Sequence, residues 1–312
     1  MSLGATGVRD TAGGRLGAPR FMDPVVLSRI GNLELIARGV VDGFVSGLHR
    51  ALYLGVSTDF AEHRPYSPGD DVRRIDWRLF ARTDRLNLKT FEAETNADLV
   101  LALDASGSMD YASGELGKLD YARMLLASLA HLGARQRDRV GVATFASDLL
   151  RVVPPAAGRT DAVMATLEGV TVSRGDDLVA ALDRLGAALT RRGVVVVVSD
   201  FYLDAVDAGR ALGGLRARGH DVIAFHLLDP AERALDLKGA QVLEDMETGD
   251  RMPVIPEQVR ERYRALLDEH VAALERECLA LDVDFMSLTT DRPLDHALFR
   301  FLSERARRAV RR

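Results

Sequence analysis

The chain reads as an open α/β fold, a mostly parallel sheet with helices on both faces. Three observations predict it. Val194 to Val198 is an unbroken run of valine, as expected of a central strand buried on both sides. Leu99-Val100-Leu101-Ala102-Leu103 and Val222-Ile223-Ala224-Phe225 are further apolar runs of strand length. Stretches of helical periodicity separate these runs, and strand–helix alternation builds parallel sheets.

The elements follow in order. Asp23-Pro24 is a start signal for a helical pattern from Val25 to Val45. Pro65-Tyr66-Ser67-Pro68-Gly69-Asp70-Asp71 reads as a turn. Val72 to Leu79 fits a short helix or a strand, and Leu86 to Glu94 a strand. Asp98 to Leu103 is a buried strand and Leu119 to Leu132 an amphipathic helix. Asp138 to Phe145 is the second strand, and Leu149 to Val153 a short third. Thr160 to Leu167 and Leu178 to Leu189 are helical, before the valine strand. Ala205 to Arg218 is a helix and Asp221 to Leu227 a strand. Val242 to Asp245 and Arg251 to Val254 flank Glu247-Thr248-Gly249-Asp250 as a hairpin. Glu257 to Leu281 places Val259, Tyr263, Leu266, Leu267, Val271, Leu274 and Cys278 on one helical face. Val283 to Leu288 is the last strand and Leu294 to Arg308 the last helix. The expected organisation is a disordered tail over 1–20, an accessory segment over 21–97, and an α/β domain over 98–312 with a hairpin insertion near 240–255.

Composition bounds the function. The chain has 312 residues, 47% apolar and 28% charged, as in a soluble globular protein. A net charge of −5 argues against nucleic acid as a partner. The single cysteine, Cys278, allows no intrachain disulfide. No apolar run approaches the roughly 20 residues of a membrane span, and residues 1–20 lack the apolar stretch of a signal peptide. A cytoplasmic location without an integral membrane segment is the expectation. The only lysines, Lys89, Lys118 and Lys238, read as genome composition rather than function.

The chemistry concentrates in three acidic loops. Asp104-Ala105-Ser106-Gly107-Ser108-Met109 directly follows the first apolar strand. Gly175-Asp176-Asp177-Leu178 opens a helix, and Ser199-Asp200 follows the valine strand. In open α/β sheets, sites form beyond the carboxyl ends of strands near the topological switch. Hydroxyl and carboxylate oxygens without His or Cys suit Mg²⁺, or Mn²⁺ or Ca²⁺ in its place. Alone, Asp-x-Ser-x-Ser is a helix cap or turn; three such loops at strand ends together predict a metal site. Asp104, Ser106, Ser108, Asp176 and Asp200 are its expected members, with Asp177 as a further candidate.

These loops resemble the metal-ion-dependent adhesion site (MIDAS) of von Willebrand factor type A domains, over about residues 97–228 and extending to the end. The resemblance implies that Ser106 and Ser108 contact the metal directly. Asp104 and Asp200 would act through water. Where that family has Gly-Thr-Asp-Leu, this chain has Gly175-Asp176-Asp177-Leu178, so Asp176 stands at the hydroxyl position. A third carboxylate there is expected to hold the cation more tightly and leave it less attractive to a partner's carboxylate.

Phe60, Arg64, Tyr66 and Pro68-Gly69-Asp70-Asp71-x-Arg73-x-Ile75-Asp76-Trp77, then Ala81-Arg82 and Phe91-Glu92-x-Glu94, resemble bacterial proteins called domain of unknown function 58. Such proteins are typically encoded beside a MoxR-type AAA+ ATPase. The resemblance implies an adaptor or assembly factor for such an ATPase or for other von Willebrand factor A proteins, peripheral to the membrane only through partners. Asp70, Asp71, Arg73, Asp76 and Trp77 either form an ion-paired anchor for the accessory segment or a surface the ATPase recognises.

Enzyme chemistry finds little support. There is no Gly-x-Ser-x-Gly elbow and no phosphate-binding Gly-x-x-x-x-Gly-Lys-Ser/Thr loop. The alternative to a non-enzymatic module is a Mg²⁺- or Mn²⁺-dependent hydrolase on the same metal, with Asp176 or Asp177 as base.

Overall fold

The computed structural model describes residues 23–53, 63–65, 87–89, 97–175, 177–246 and 248–311, with side chains in 23–45, 97–175, 177–246 and 248–303. Ten strands and nine helices lie in the described residues. Helices α1 (Pro24–Ser28) and α2 (Leu33–Tyr53) come first, then short strands β1 (His63–Pro65) and β2 (Asn87–Lys89), an antiparallel pair. The signature residues Asp70, Asp71, Arg73, Asp76 and Trp77 lie outside the described residues, as does Asp176.

The main body follows as β3 (Asp98–Asp104), α3 (Lys118–Arg135), β4 (Arg139–Phe145), β5 (Leu149–Ala156), α4 (Thr160–Glu168) and α5 (Leu178–Ala188). It continues with β6 (Gly193–Ser199), α6 (Ala205–Ala217), β7 (Asp221–Leu228) and α7 (Pro230–Ala234). The hairpin is β8 (Gln241–Glu244) with β9 (Arg251–Val254), and α8 (Pro256–Ala280), β10 (Asp284–Thr289) and α9 (Asp295–Arg311) finish the chain.

The fold is an open α/β sheet with helices on both faces, as the apolar runs predict. Its six strands stand in the order β10-β7-β6-β3-β4-β5. All pairs are parallel except β4–β5, where β5 returns as an antiparallel edge. Pro154 and Pro155 lie in that edge strand, where a missing N–H is tolerated. Strand alternation splits the core in two. Leu99, Leu101, Leu103, Val196 and Val198 face one layer of helices; Val100, Ala102, Val195 and Val197 face the other.

Three expectations change. The pattern from Val25 to Val45 is two helices, because Gly31 takes a left-handed φ of +68° and Asn32 accepts the Leu35 N–H at 2.9 Å to start the second. Helix α3 is buried nearly all round rather than on one stripe. It lies between the sheet and α2, whose Ile36, Ala37, Val40, Val41 and Phe44 join the same core as Leu125 and Leu129. Residues 24–45 are therefore packed on the α/β layer. The expected apolar face of α8 is also narrower: Leu267, Leu274 and Cys278 are buried, whereas Val259 and Leu266 are exposed.

Candidate metal centre

The chain path makes the crevice. From central β3 the chain passes to β4 on one side, whereas β6 lies on the other. The loops after β3 and β6 thus flank the point where strand order reverses, the place where open sheets hold their ligands. Asp104 closes β3 and Ser199 closes β6, one register step beyond the Leu103–Val198 pair.

Asp104 is fully enclosed. Its Oδ1 accepts the Ser106 backbone N–H at 2.8 Å, and its Oδ2 accepts the Ser199 hydroxyl at 2.5 Å. Burial and the nearby Asp200 carboxylate push its carboxyl well above the usual range, against the lowering by Ser199 and Ser106. The Ser106 and Ser108 hydroxyls stand 3.2 Å apart, across the start of a short 3-10 turn over Gly107–Asp110. Ala105 ties this turn to its neighbours: its N–H donates to the Phe145 carbonyl and its carbonyl accepts the Ser173 N–H, each at 2.7 Å. The loop that precedes Asp176 is thereby pinned beside Ser106.

Asp177 is taken up locally. It is the N-cap of α5, and its carboxylate accepts the Ala180 N–H at 2.9 Å. Phe201 turns the chain after Asp200 with a left-handed φ of +46°. That turn is held by the Phe201 N–H on Ser199 Oγ at 2.9 Å and by His270 Nε2 near the Phe201 carbonyl at 3.2 Å.

Sequence reasoning missed the cation already present. Lys118 is wholly buried, and its Nζ donates to Asp200 Oδ2 at 2.8 Å and to Glu232 Oε1 at 2.7 Å. The rings of Tyr202 and Tyr111 lie 5.4 and 5.9 Å from that ammonium. Burial alone would lower the Lys118 pKa, but the two carboxylates outweigh it and the ammonium stays charged. Burial lifts the Glu232 carboxyl more than Lys118 lowers it. Glu232 also completes a capping box with Asp229, accepting the Asp229 N–H at 2.7 Å. The one signal for Lys118 was its rarity among arginines.

The donor set fits a hard cation. Asp104, Ser106, Ser108 and Asp200 supply oxygens only; Asp200 shares the Lys118 ammonium with Glu232, and its charge acts on the buried Asp104. Among the described residues no group of three or more His, Cys, Asp or Glu is set to hold a metal.

An α/β protein with a polar, buried centre at its topological switch is the class that fold and site define. The family described as "Protein of unknown function DUF58" matches residues 62–273. The uncharacterized protein Rv1480 of Mycobacterium tuberculosis is 31% identical over 294 residues, covering 92% of both chains. The chain belongs to the DUF58 family. A second similar protein, the uncharacterized MAV169 of Mycobacterium avium, is 34% identical over 164 residues, covering 51% of this chain and 96% of its own. Among solved structures, the conserved hypothetical protein BatB from Bacteroides thetaiotaomicron is 17% identical with a TM-score of 0.46, covering 68% of this chain and 99% of its own. The SpRpn10 VWA domain is 9% identical with a TM-score of 0.43, covering 65% and 93%. No helix among the described residues is long and apolar enough to cross a membrane.

Proposed function

We propose that this chain is a non-enzymatic protein-interaction module whose centre holds Mg²⁺, with Mn²⁺ or Ca²⁺ as substitutes. The convergence of Asp104, Ser106, Ser108 and Asp200 at the switch between β3 and β6 carries the reading. The hydroxyls of Ser106 and Ser108 would hold the ion, with Asp104 and Asp200 setting the charge behind them. An acidic side chain of a partner would complete the shell. Asp176, at the position of the family threonine, would bind the ion and make it more nearly constitutive.

The family resemblance supplies the partner class, a MoxR-type AAA+ ATPase or another von Willebrand factor A protein. The Asp70 to Trp77 signature is the second candidate contact. The test is a pull-down of that ATPase with the wild-type chain and with Ser106→Ala, in Mg²⁺ and in EDTA. Capture lost in Ser106→Ala and in EDTA is the expected result. Capture indifferent to both would remove the metal from the interaction. Calorimetric titration of Asp176→Thr with Mg²⁺ separately checks the third carboxylate, and weaker binding is expected.

A further inference from the structure

Lys118 stands where a lysine has little local reason to be. It is the first residue of α3, behind Gly117, which offers no side-chain cap. The start of a helix carries the positive end of its dipole, so a cation there opposes the helix. The ammonium is also fully removed from water, at a desolvation cost that buried ion pairs often fail to recover. Helix stability and packing therefore do not account for it.

Its position relative to the centre does. The ammonium bridges Asp200, in the loop after β6, and Glu232, in α7. Asp200 is in turn the carboxylate whose charge is felt by Asp104. Tyr202 and Tyr111 flank the ammonium with the electron-rich faces that favour a cation. A lysine serves as a compact point charge between two carboxylates, where arginine would bring a broad planar fork.

We infer that Lys118 is a resident cation of this centre, which holds Asp200 in place and lowers the affinity of Asp104, Ser106 and Ser108 for a divalent ion. The inference rests on the divalent-cation reading above. Positive charge at Asp200 partly supplies what a metal would otherwise supply alone. A divalent ion must then bind against the ammonium's repulsion in a buried, weakly screened setting. Lys118 is a positioning residue, not a ligand.

The full chain is titrated calorimetrically with Mg²⁺ and with Mn²⁺ as wild type, Lys118→Gln, Lys118→Met and Lys118→Arg. Melting temperatures are recorded in parallel with Mg²⁺ and with EDTA. Gln keeps a hydrogen-bond donor for Asp200 without charge, and covers the case in which Met does not fold. Loss of the charge should tighten binding about ten-fold, and Arg should stay within about two-fold of wild type. Mg²⁺ should also raise the melting temperature of Lys118→Gln more than that of wild type. Binding by Lys118→Gln alone, or folding of the neutral variants only with Mg²⁺, would equally support the inference. A wild type that binds Mg²⁺ beside a folded Lys118→Gln of equal or weaker affinity overturns it and leaves the metal reading intact. Neutral variants that fail to fold with or without Mg²⁺ also overturn it, because the lysine is then structural. Absence of binding in every folded variant overturns both.

Discussion

The Ser199 hydroxyl donates to Oδ2 of Asp104 at 2.5 Å, joining the ends of β6 and β3 at the point where strand order reverses. The same Ser199 oxygen accepts the Phe201 N–H at 2.9 Å, so one side chain fixes both the buried carboxylate and the turn carrying Asp200. Removing it strands two buried polar groups at once. Ser199→Ala should lose about 1–3 kcal/mol of stability, measured by urea unfolding at neutral pH. A loss below about 0.5 kcal/mol would mean that other groups already satisfy Asp104 and Phe201.

Gly141 tests the antiparallel edge. A Cβ at this position would stand 2.6 Å from the Val153 carbonyl oxygen and 2.6 Å from the Pro155 nitrogen, both backbone atoms of β5. Neither can move aside like the end of a flexible side chain. Gly141→Ala is therefore expected to cost at least about 1–3 kcal/mol through strain, and to loosen β5 from β4. Hydrogen exchange of β5 amides should accelerate relative to those of β7, which does not pair with β4. Uniform acceleration of both strands would contradict a local edge defect.

The strands and the outline of the centre were legible because both depend on local pattern. An apolar run that stops at Asp104, or at Ser199-Asp200, marks a strand's carboxyl end, where site residues collect. The antiparallel return of β5 was not legible: Leu149 to Val153 is short, and direction depends on what it pairs with. The all-round burial of α3 needed a second layer, supplied by α2 from the start of the chain. Lys118 and Glu232 escaped for the same reason. The Asp229–Glu232 capping box is local and readable, but Lys118 meets Asp200 and Glu232 across separations of 82 and 114 residues. Only the folded sheet brings them together.

Two buried histidines make stability depend on mild acid. Burial pushes the His226 pKa from 6.5 down to about 4, and burial also lowers that of His220. A folded pKa below the unfolded one means that the unfolded chain takes up more protons between about pH 4 and 6.5. The histidine contribution to stability therefore falls as pH drops through that window and is fully kept above it, while the raised carboxyl of Asp104 works in the opposite sense. For His226 the loss over the window is on the order of 3 kcal/mol. His226→Asn, which can keep a hydrogen bond to Ser287, should flatten the fall between pH 7 and pH 5 in denaturant titrations. An unchanged slope would place the acid sensitivity in other groups.

Cys278 offers a direct probe of the second core. It sits on α8 with Leu267 and Leu274, packed with Leu212 and Leu215 of α6, and is 1% exposed. Burial raises its thiol to about 12, with Glu277 and Glu275 adding to the shift. The thiolate is the reactive form, so the folded protein should resist iodoacetamide at pH 8, and labelling should require opening of the α6–α8 contact. The labelling rate should then follow urea concentration with the same midpoint as the loss of circular dichroism. Fast labelling in the absence of urea would show that α8 leaves the sheet while the rest of the core stays folded.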